Sequence, residues 1–297
     1  MRCRRRRRRD ACRGRSAATR AYSVDVPGPE SATRRVGVAL AAILLFSMGG
    51  FPSDPAGATS AGGLVQPDGP AGCISDTGSG GACTAGVALR QPLSVAVSPD
   101  GENAYATSNA DHAVLVFDRD PATGALNQEA GTDGCISDTG SDGRCAVGRG
   151  LDGARSVVVS PDGANVYAVG YRDDAVVVFD RDPSSGALTQ KAGASGCVSD
   201  DGADGCTDGV ALQGAHAVTL SPDGTSLYVA AYGRGAVAVF DRDGATGVLT
   251  QKTGAAGCLA GPGAEGCSMA PALGAAAGIT VSPDGASVYV ASAGPDA

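Results

Sequence analysis

The sequence predicts an all-β fold: a β-propeller of four-stranded antiparallel blades, about 61–62 residues per repeat, in an incomplete ring with about 3.5 blades present. The first observation behind this is an internal repeat. Ser-Pro-Asp-Gly begins at Ser98, Ser160, Ser221 and Ser282, at spacings of 62, 61 and 61 residues, and a fixed period of this kind marks a repeat architecture. The second is a shared order of landmarks: Ser-Pro-Asp-Gly, a Tyr inside an apolar run, Phe-Asp-Arg-Asp, then Gly-x-Leu. That order runs over residues 95–128, 157–190 and 218–251 and begins again at Ile279. The third is that every run is short, rich in Val and Tyr, bounded by Gly, Pro or Asp, and free of a 3.6-residue period. A four-stranded meander at fixed spacing is how a propeller blade is built.

The second repeat shows each element. Ser156–Ser160 is a Val-rich first strand ended by Pro161-Asp162-Gly163, where Pro presets φ and Gly takes the positive-φ position of a hairpin turn. Asn165–Val169 is the second strand, with Tyr167 at the place of Tyr105, Tyr228 and Tyr289. The polar break from Tyr171 to Asp174 leads to a third, β-branched strand, Ala175–Phe179, which closes on a Gly-terminated turn ending at Gly186. Ala187–Gln190 is the fourth strand.

Ahead of the repeats lies an export signature. Arg4 to Arg9 are unbroken, and residues 36–48 (VGVALAAILLFSM) form a thirteen-residue apolar run. That run is too short to span a bilayer and fits the hydrophobic region of a secretory signal, with Ala56-Gly57-Ala58 as a cleavage site. Arg34-Arg35 is a weak twin-arginine match, so both export routes stay open, as does the true start site. Residues 1–58 are therefore set apart as an Arg-rich leader with signal peptide. Residues 59–297 hold the repeats: 61–67 a lone outer strand, 88–128, 150–190 and 211–251 three blades, and 273–297 a partial fourth. Closed propellers carry 4–8 blades, so the expectation is a fragment of a longer product, with completion by another copy as the alternative.

The leader holds 12 Arg and 4 acids, which leaves 11 basic and 27 acidic residues and a net charge of −16 in the repeat region. Such a surface repels nucleic acid and anionic membranes. The expected partner is an unknown protein, carbohydrate or small-molecule ligand, with no membrane span after signal cleavage. The expected location is secreted, extracellular or cell-envelope.

Eight of the ten cysteines form repeat-locked local pairs, each bracketing a Gly- and Asp-rich loop expected to join one blade to the next: Cys73/Cys83, Cys135/Cys145, Cys197/Cys206 and Cys258/Cys267. With an export signal, disulfides are the expected state. Thiolate metal ligation is the rival, but it favours Cys-x-x-Cys clusters. Asp76-Thr77-Gly78-Ser79 and Asp138-Thr139-Gly140-Ser141 match an aspartic-protease signature. That chemistry needs two facing aspartates, and the third copy reads Asp200-Asp201-Gly202-Ala203, so an Asx-type turn is expected instead. The Asp-x-Asp-x-x-x-Gly segments at Asp118, Asp180 and Asp241 resemble the start of a calcium loop but lack the later acid such a loop uses. Capped hairpin turns are expected there. Asp200, Asp201 and Asp204 are the weak calcium candidates, and no other cofactor is expected.

Ser-Pro-Asp-Gly followed by Tyr289-Val290-Ala291-Ser292, with an apolar strand ending Phe-Asp, resembles the YVTN-type repeats of the lactonase-like β-propellers. That group includes 6-phosphogluconolactonases and muconate-lactonising cycloisomerases. The resemblance covers about residues 61–297. It implies a propeller fold and, for the family's enzymes, a site in the central channel built from Arg, His and Glu. The family's first strand typically opens Pro-Arg-His. This chain has Ala154-Arg155-Ser156 and Ala215-His216-Ala217, with Leu93 and Ala277 at the other two places, so Arg155 matches and His216 replaces an Arg. Glu102, Glu129 and Glu265 are the only glutamates after the leader, and all fall in turns or loops.

Propeller geometry gathers His112, Arg155, Arg172, Asp173, His216 and Arg234 on one face, with solvated loop residues as the plain alternative. The leading expectation is a secreted binding or interaction scaffold. The runner-up is a lactone hydrolase in which Arg155 polarises the carbonyl and His216 is the general base. A calcium-stabilised surface repeat is the third.

Overall fold

The computed structural model of the protein describes residues 20–25, 66–262 and 266–293. In the second unit the strands run Ala154–Val159, Asn165–Gly170, Ala175–Arg181 and Leu188–Gln190, each antiparallel to its predecessor. The first unit repeats this with Pro92–Val97, Asn103–Ser108, Ala113–Arg119 and Leu126–Gln128. The third does so with Ala215–Leu220, Ser226–Ala231, Ala236–Arg242 and Leu249–Gln251. A fourth unit contributes Ala276–Val281 and Ser287–Ser292. First strands of consecutive units are neighbours, so the described chain is an open arc of blades around an axis, and the ring is not closed.

The Ser-Pro-Asp-Gly turns are wired by their own side chains. Gly163 N–H donates to the Ser160 carbonyl at 2.8 Å, Ala164 N–H donates to Asp162 at 3.0 Å, and Asn165 N–H donates to the Ser160 hydroxyl at 3.0 Å. Gly163 sits at φ 72, which explains the glycine. In the Phe-Asp-Arg-Asp turns, Asp182 accepts from the N–H groups of Ser184 and Ser185 at 2.8 and 3.0 Å, and Asp120 and Asp243 do the same in their units. These are capped turns, as their sequence predicts.

Alternation along the middle strands serves two interfaces at once. Val176 and Val178 face the third unit, while Val177 and Phe179 face the first, and all four are fully buried. A strand buried on both faces reads as a continuous apolar run, and each such side chain contributes roughly 1.5–3 kcal/mol.

Two features go beyond the sequence reading. The first is a correction: the cysteine-bounded segments, expected as connecting loops, supply blade strands. Cys197–Ser199 pairs antiparallel with Ala175–Val177 and parallel with Thr207–Asp208. The short fourth strand pairs only with residues 179–181. The outer edge of each blade is thus made of two pieces, and the disulfide fastens the second.

All four expected disulfides, Cys73–Cys83, Cys135–Cys145, Cys197–Cys206 and Cys258–Cys267, are formed, with Cα–Cα separations of 4.8 Å. They differ in their surroundings. The middle two are buried at both cysteines, whereas Cys73, Cys83 and Cys267 are half-buried. Cys83 leads directly into Thr84–Ala85, which pairs parallel with Ile74–Ser75 in a separate two-stranded sheet. Cys267 leads likewise into Ser268–Met269, which pairs parallel with residues 259–260.

The second feature is the Arg of Phe-Asp-Arg-Asp. Arg181 is buried and crosses to the first unit, where Nε donates to the Tyr105 hydroxyl at 2.8 Å and Nη2 to Asp100 at 2.7 Å and Asn103 at 2.6 Å. Tyr105 in turn donates to the Gly186 carbonyl at 2.8 Å. Arg242 repeats the clamp on Tyr167, Asp162 and Asn165. The landmarks of the repeat are therefore the two halves of an inter-blade lock.

Arg20–Asp25, within the stretch set apart as a leader, pairs antiparallel with Ser287–Ser292 and takes the third place in the fourth unit. An open strand edge offers its unpaired backbone groups to such pairing. The rest of the leader, including Cys3, Cys12 and the apolar run, lies outside the described residues, as do Glu265 and most of the 61–67 segment. Gln66 makes the contact of its repeat equivalents: its side chain donates to Gly72 O at 3.3 Å, as Gln128 does to Gly134 O at 3.1 Å. Among the described residues no helix is long and apolar enough to cross a membrane.

Candidate functional site at the axial bulges

Each first strand carries a β-bulge at one position. Ala154 faces Gly170 and Ser156 faces Val169, which leaves Arg155 unpaired between them. His216 is skipped in the same way between Ala215 and Ala217, and the breaks in the other two units fall at Leu93 and Ala277. A bulge re-aims the side chain it carries. The positions singled out in the sequence are therefore the ones the backbone displaces on the axial strands.

Arg155 and His216 are brought into one cluster by two tyrosines. The Arg155 guanidinium lies 4.7 Å above the Tyr171 ring centre. Tyr171 stands edge-on to His216 at 6.3 Å, and His216 stacks on Tyr232 at 5.5 Å with 26° between the planes. A cation over an aromatic face and offset or edge-on rings are both attractive arrangements. Arg155 Nε is buried and has no hydrogen-bond partner among the described residues. Burial and, after it, the Arg155 charge hold the His216 pKa below its usual value, against a hydrogen bond to the Ala277 backbone. His216 is thus neutral at pH 7. Sequence reading missed Tyr171 and Tyr232 because it took that segment as a polar break. The available signal was an aromatic directly after the second strand in two consecutive units.

The remaining candidates separate from this cluster. His112 accepts the Gly153 N–H at Nδ1 (3.0 Å) and lies 2.8 Å from an Asp152 carboxylate oxygen. Its equivalent Asp174 accepts the Gly214 N–H at 2.6 Å, and both residues hold positive φ, 52 and 49. His112 is a latch between units. Arg172 pairs with Asp152 at 2.8 Å and is more than half exposed. Asp173 accepts the Asp152 N–H at 2.7 Å, and burial raises its pKa. Arg234 lines a cleft of about 440 Å³ with Tyr232, Pro262 and Leu273, adjoining the axial cluster.

The protease-like aspartates do not face one another. Asp76, Asp138 and Asp200 each accept the N–H of a leucine opening the next unit, Leu89, Leu151 and Leu212. These three tie the disulfide loop forward rather than capping their own turn, and the expected Asx-type turn is made in the third copy by the neighbouring Asp201. Asp201 accepts from Ala203 N–H at 2.9 Å. Among the described residues no three His, Cys, Asp or Glu side chains converge on a metal position. Asp204 stands at positive φ (55) in the same loop as Asp200 and Asp201. Glu129 lies against Asp118, which raises its pKa, and Glu102 sits in a turn, so neither reaches the axial cluster.

Comparison with known proteins follows the same lines. The family model described as "Lactonase, 7-bladed beta-propeller" matches residues 149–257. A search of curated proteins finds no significant match. Similar solved structures include a candidate 6-phosphogluconolactonase of Bacteroides fragilis, at 22% identity over 68% of this chain and 47% of that one, TM-score 0.47. A second from Bacteroides uniformis shows 23% identity over 57% and 41%, TM-score 0.42. Hydrazine synthase of Kuenenia stuttgartiensis shows 20% over 67% and 41%, TM-score 0.40. The chain spans less than half the length of each of these three proteins. Residues 149–257, which carry one full 61–62-residue repeat and the axial bulges at Arg155 and His216, are thus similar to the lactonase-like β-propeller family.

Proposed function

We propose that this chain is an exported binding scaffold that captures a small, oxygen-rich ligand at the axial cluster of Arg155, Tyr171, His216 and Tyr232, without chemistry of its own. The observation that carries this reading is the buried Arg155 Nε, which lacks a partner among the described residues. A buried unpaired donor costs on the order of 1–3 kcal/mol, and a ligand acceptor would relieve that cost. The stacked rings beside it offer apolar faces, which matches the general make-up of ligand sites. The four disulfides support an oxidising compartment.

A second reading, lactone hydrolysis, draws support from His216, whose neutral ring is able to accept a proton from water while Arg155 polarises a carbonyl. No carboxylate pairs with His216 among the described residues, which favours binding over turnover. The deciding experiment tests sugar lactones and the corresponding acids against oxidised protein and its Arg155→Ala and His216→Ala variants. Saturable binding without turnover, lost in both variants at unchanged Tm, supports the scaffold. Turnover lost in both establishes the hydrolase. Neither binding nor turnover in folded protein removes the axial site from both readings.

A further inference from the structure

The four disulfides are chemically unequal, and one of them has the parts of an exchange site. Arg149 Nε donates to Cys197 Sγ at 3.3 Å, and its Nη2 donates to the Gly193 carbonyl. The backbone of Arg149 is fixed in turn by Gln190, which accepts its N–H and donates to its carbonyl, both at 3.0 Å. Val87 and Val210 make the same backbone contact with Gln128 and Gln251 beside the Cys135 and Cys258 loops. The guanidinium is therefore an addition at one disulfide of an otherwise repeated arrangement. The other cysteine of the pair, Cys206, lines a cavity of about 130 Å³ together with Arg172, Asp173, Asp174, Asp201 and Asp204. Four carboxyl groups against one guanidinium make that cavity a better host for a cationic reagent than for an anionic one.

We propose that Cys197–Cys206 is a thiol-exchange site at which a small cationic thiol modifies Cys206 from the cavity while Arg149 stabilises Cys197 as the leaving thiolate. The incoming thiolate attacks Cys206 Sγ and forms a new S–S bond as the Cys197–Cys206 bond breaks. The electron pair of the broken bond stays on Cys197 Sγ, beside the Arg149 guanidinium. One disulfide replaces another, so no outside oxidant or reductant enters the step. A leaving thiol departs faster when its thiolate is stabilised, and a neighbouring guanidinium does this.

The experiment exposes the oxidised full-length chain to cysteamine or to 2-mercaptoethanesulfonate at matched thiolate concentration, followed by quenching, alkylation and peptide mapping. The Cys206 adduct is read against the Cys145 adduct of the same sample, since Cys135–Cys145 is also buried and has Val87 in place of the guanidinium. The expected result is preferential cysteamine addition to Cys206, slower addition of the sulfonate, and a several-fold slower Cys206 reaction in Arg149→Val. Arg149→Lys should keep most of the rate, and Cys145 should be unaffected throughout. Equal adduct at Cys145 and Cys206, a sulfonate rate matching cysteamine, or an Arg149→Val rate that stays level or rises would overturn the proposal. A rise would show that Arg149 only braces the loop.

Discussion

The Arg155 charge acts on His216. The guanidinium disfavours protonation of a ring that burial already keeps neutral. Arg155→Met, which keeps an unbranched stem and removes the charge, should therefore raise the His216 pKa. With two histidines in the chain, imidazole NMR titration resolves the change, and an unaltered titration would break the link. The sign for stability follows from linkage: the folded-state pKa lies below the unfolded one, about 6.5, so the unfolded chain binds the extra proton and stability falls as pH drops below that value. Tyr105 and Tyr167 titrate the other way. Burial first, against the opposing Arg181 and Arg242 charges, pushes both phenols up to about 12. Their stabilising contribution is whole below the unfolded value of about 10 and is lost as pH rises from there towards 12. Phenolate absorbance in the folded protein should show two late-titrating tyrosines, and these should disappear into the main population on denaturation.

The inter-blade lock sets what each element is worth. Arg242 is buried and holds a Tyr, an Asp and an Asn of the preceding unit. Asp162 is about two-fifths exposed, which screens the ion-pair part of the lock, but removing the Arg also strands two buried acceptors. Arg242→Ala should cost about 3 kcal/mol by urea unfolding. Arg119, at the same place in the first unit, donates to Gly101 O at 2.9 Å and reaches no Tyr or Asp of another unit among the described residues, so Arg119→Ala should cost less than about 1 kcal/mol. Equal costs would mean that the Arg stiffens its own turn and locks nothing. Strand positions were legible in the sequence because short Val- and Tyr-rich apolar runs and the turn residues that bound them are local signals, and the 165–169 and 175–179 strands sit where those signals put them. The lock was not legible. Its partners lie some 75–81 residues apart, and each half reads locally as turn chemistry. The cysteine pairing was legible from its repeat-locked spacing, but the strands that Cys83 and Cys267 lead into were not, because two-residue pairings leave no periodic trace. The axial site was half legible: Arg155 and His216 stood out by position in the repeat, whereas Tyr171 joins them only once the blades pack.

At the scale of the molecule, the acids that cap turns accumulate on the surface of the arc. The repeat region carries −16, and like charges spread over a compact body oppose compaction. The clamp keeps its buried hydrogen bonds to Tyr and Asn in salt, because its Arg side chains are about 2% exposed, while its ion pairs to the part-exposed Asp100 and Asp162 are screened. The turn carboxylates, in contact with water, are screened readily. Adding NaCl should therefore raise Tm, with most of the gain reached by about 0.15 M, where the screening length falls to about 8 Å. A fall in Tm would show that exposed ion pairs such as Arg172–Asp152 outweigh the repulsion. Divalent ions separate screening from binding. Asp200 and Asp201 already accept backbone N–H groups, and no three acids converge among the described residues. Calcium and magnesium chlorides at equal ionic strength should then shift Tm equally. An excess for calcium, reversed by EDTA, would instead establish a bound ion in the disulfide loops and make the fold a calcium-stiffened repeat.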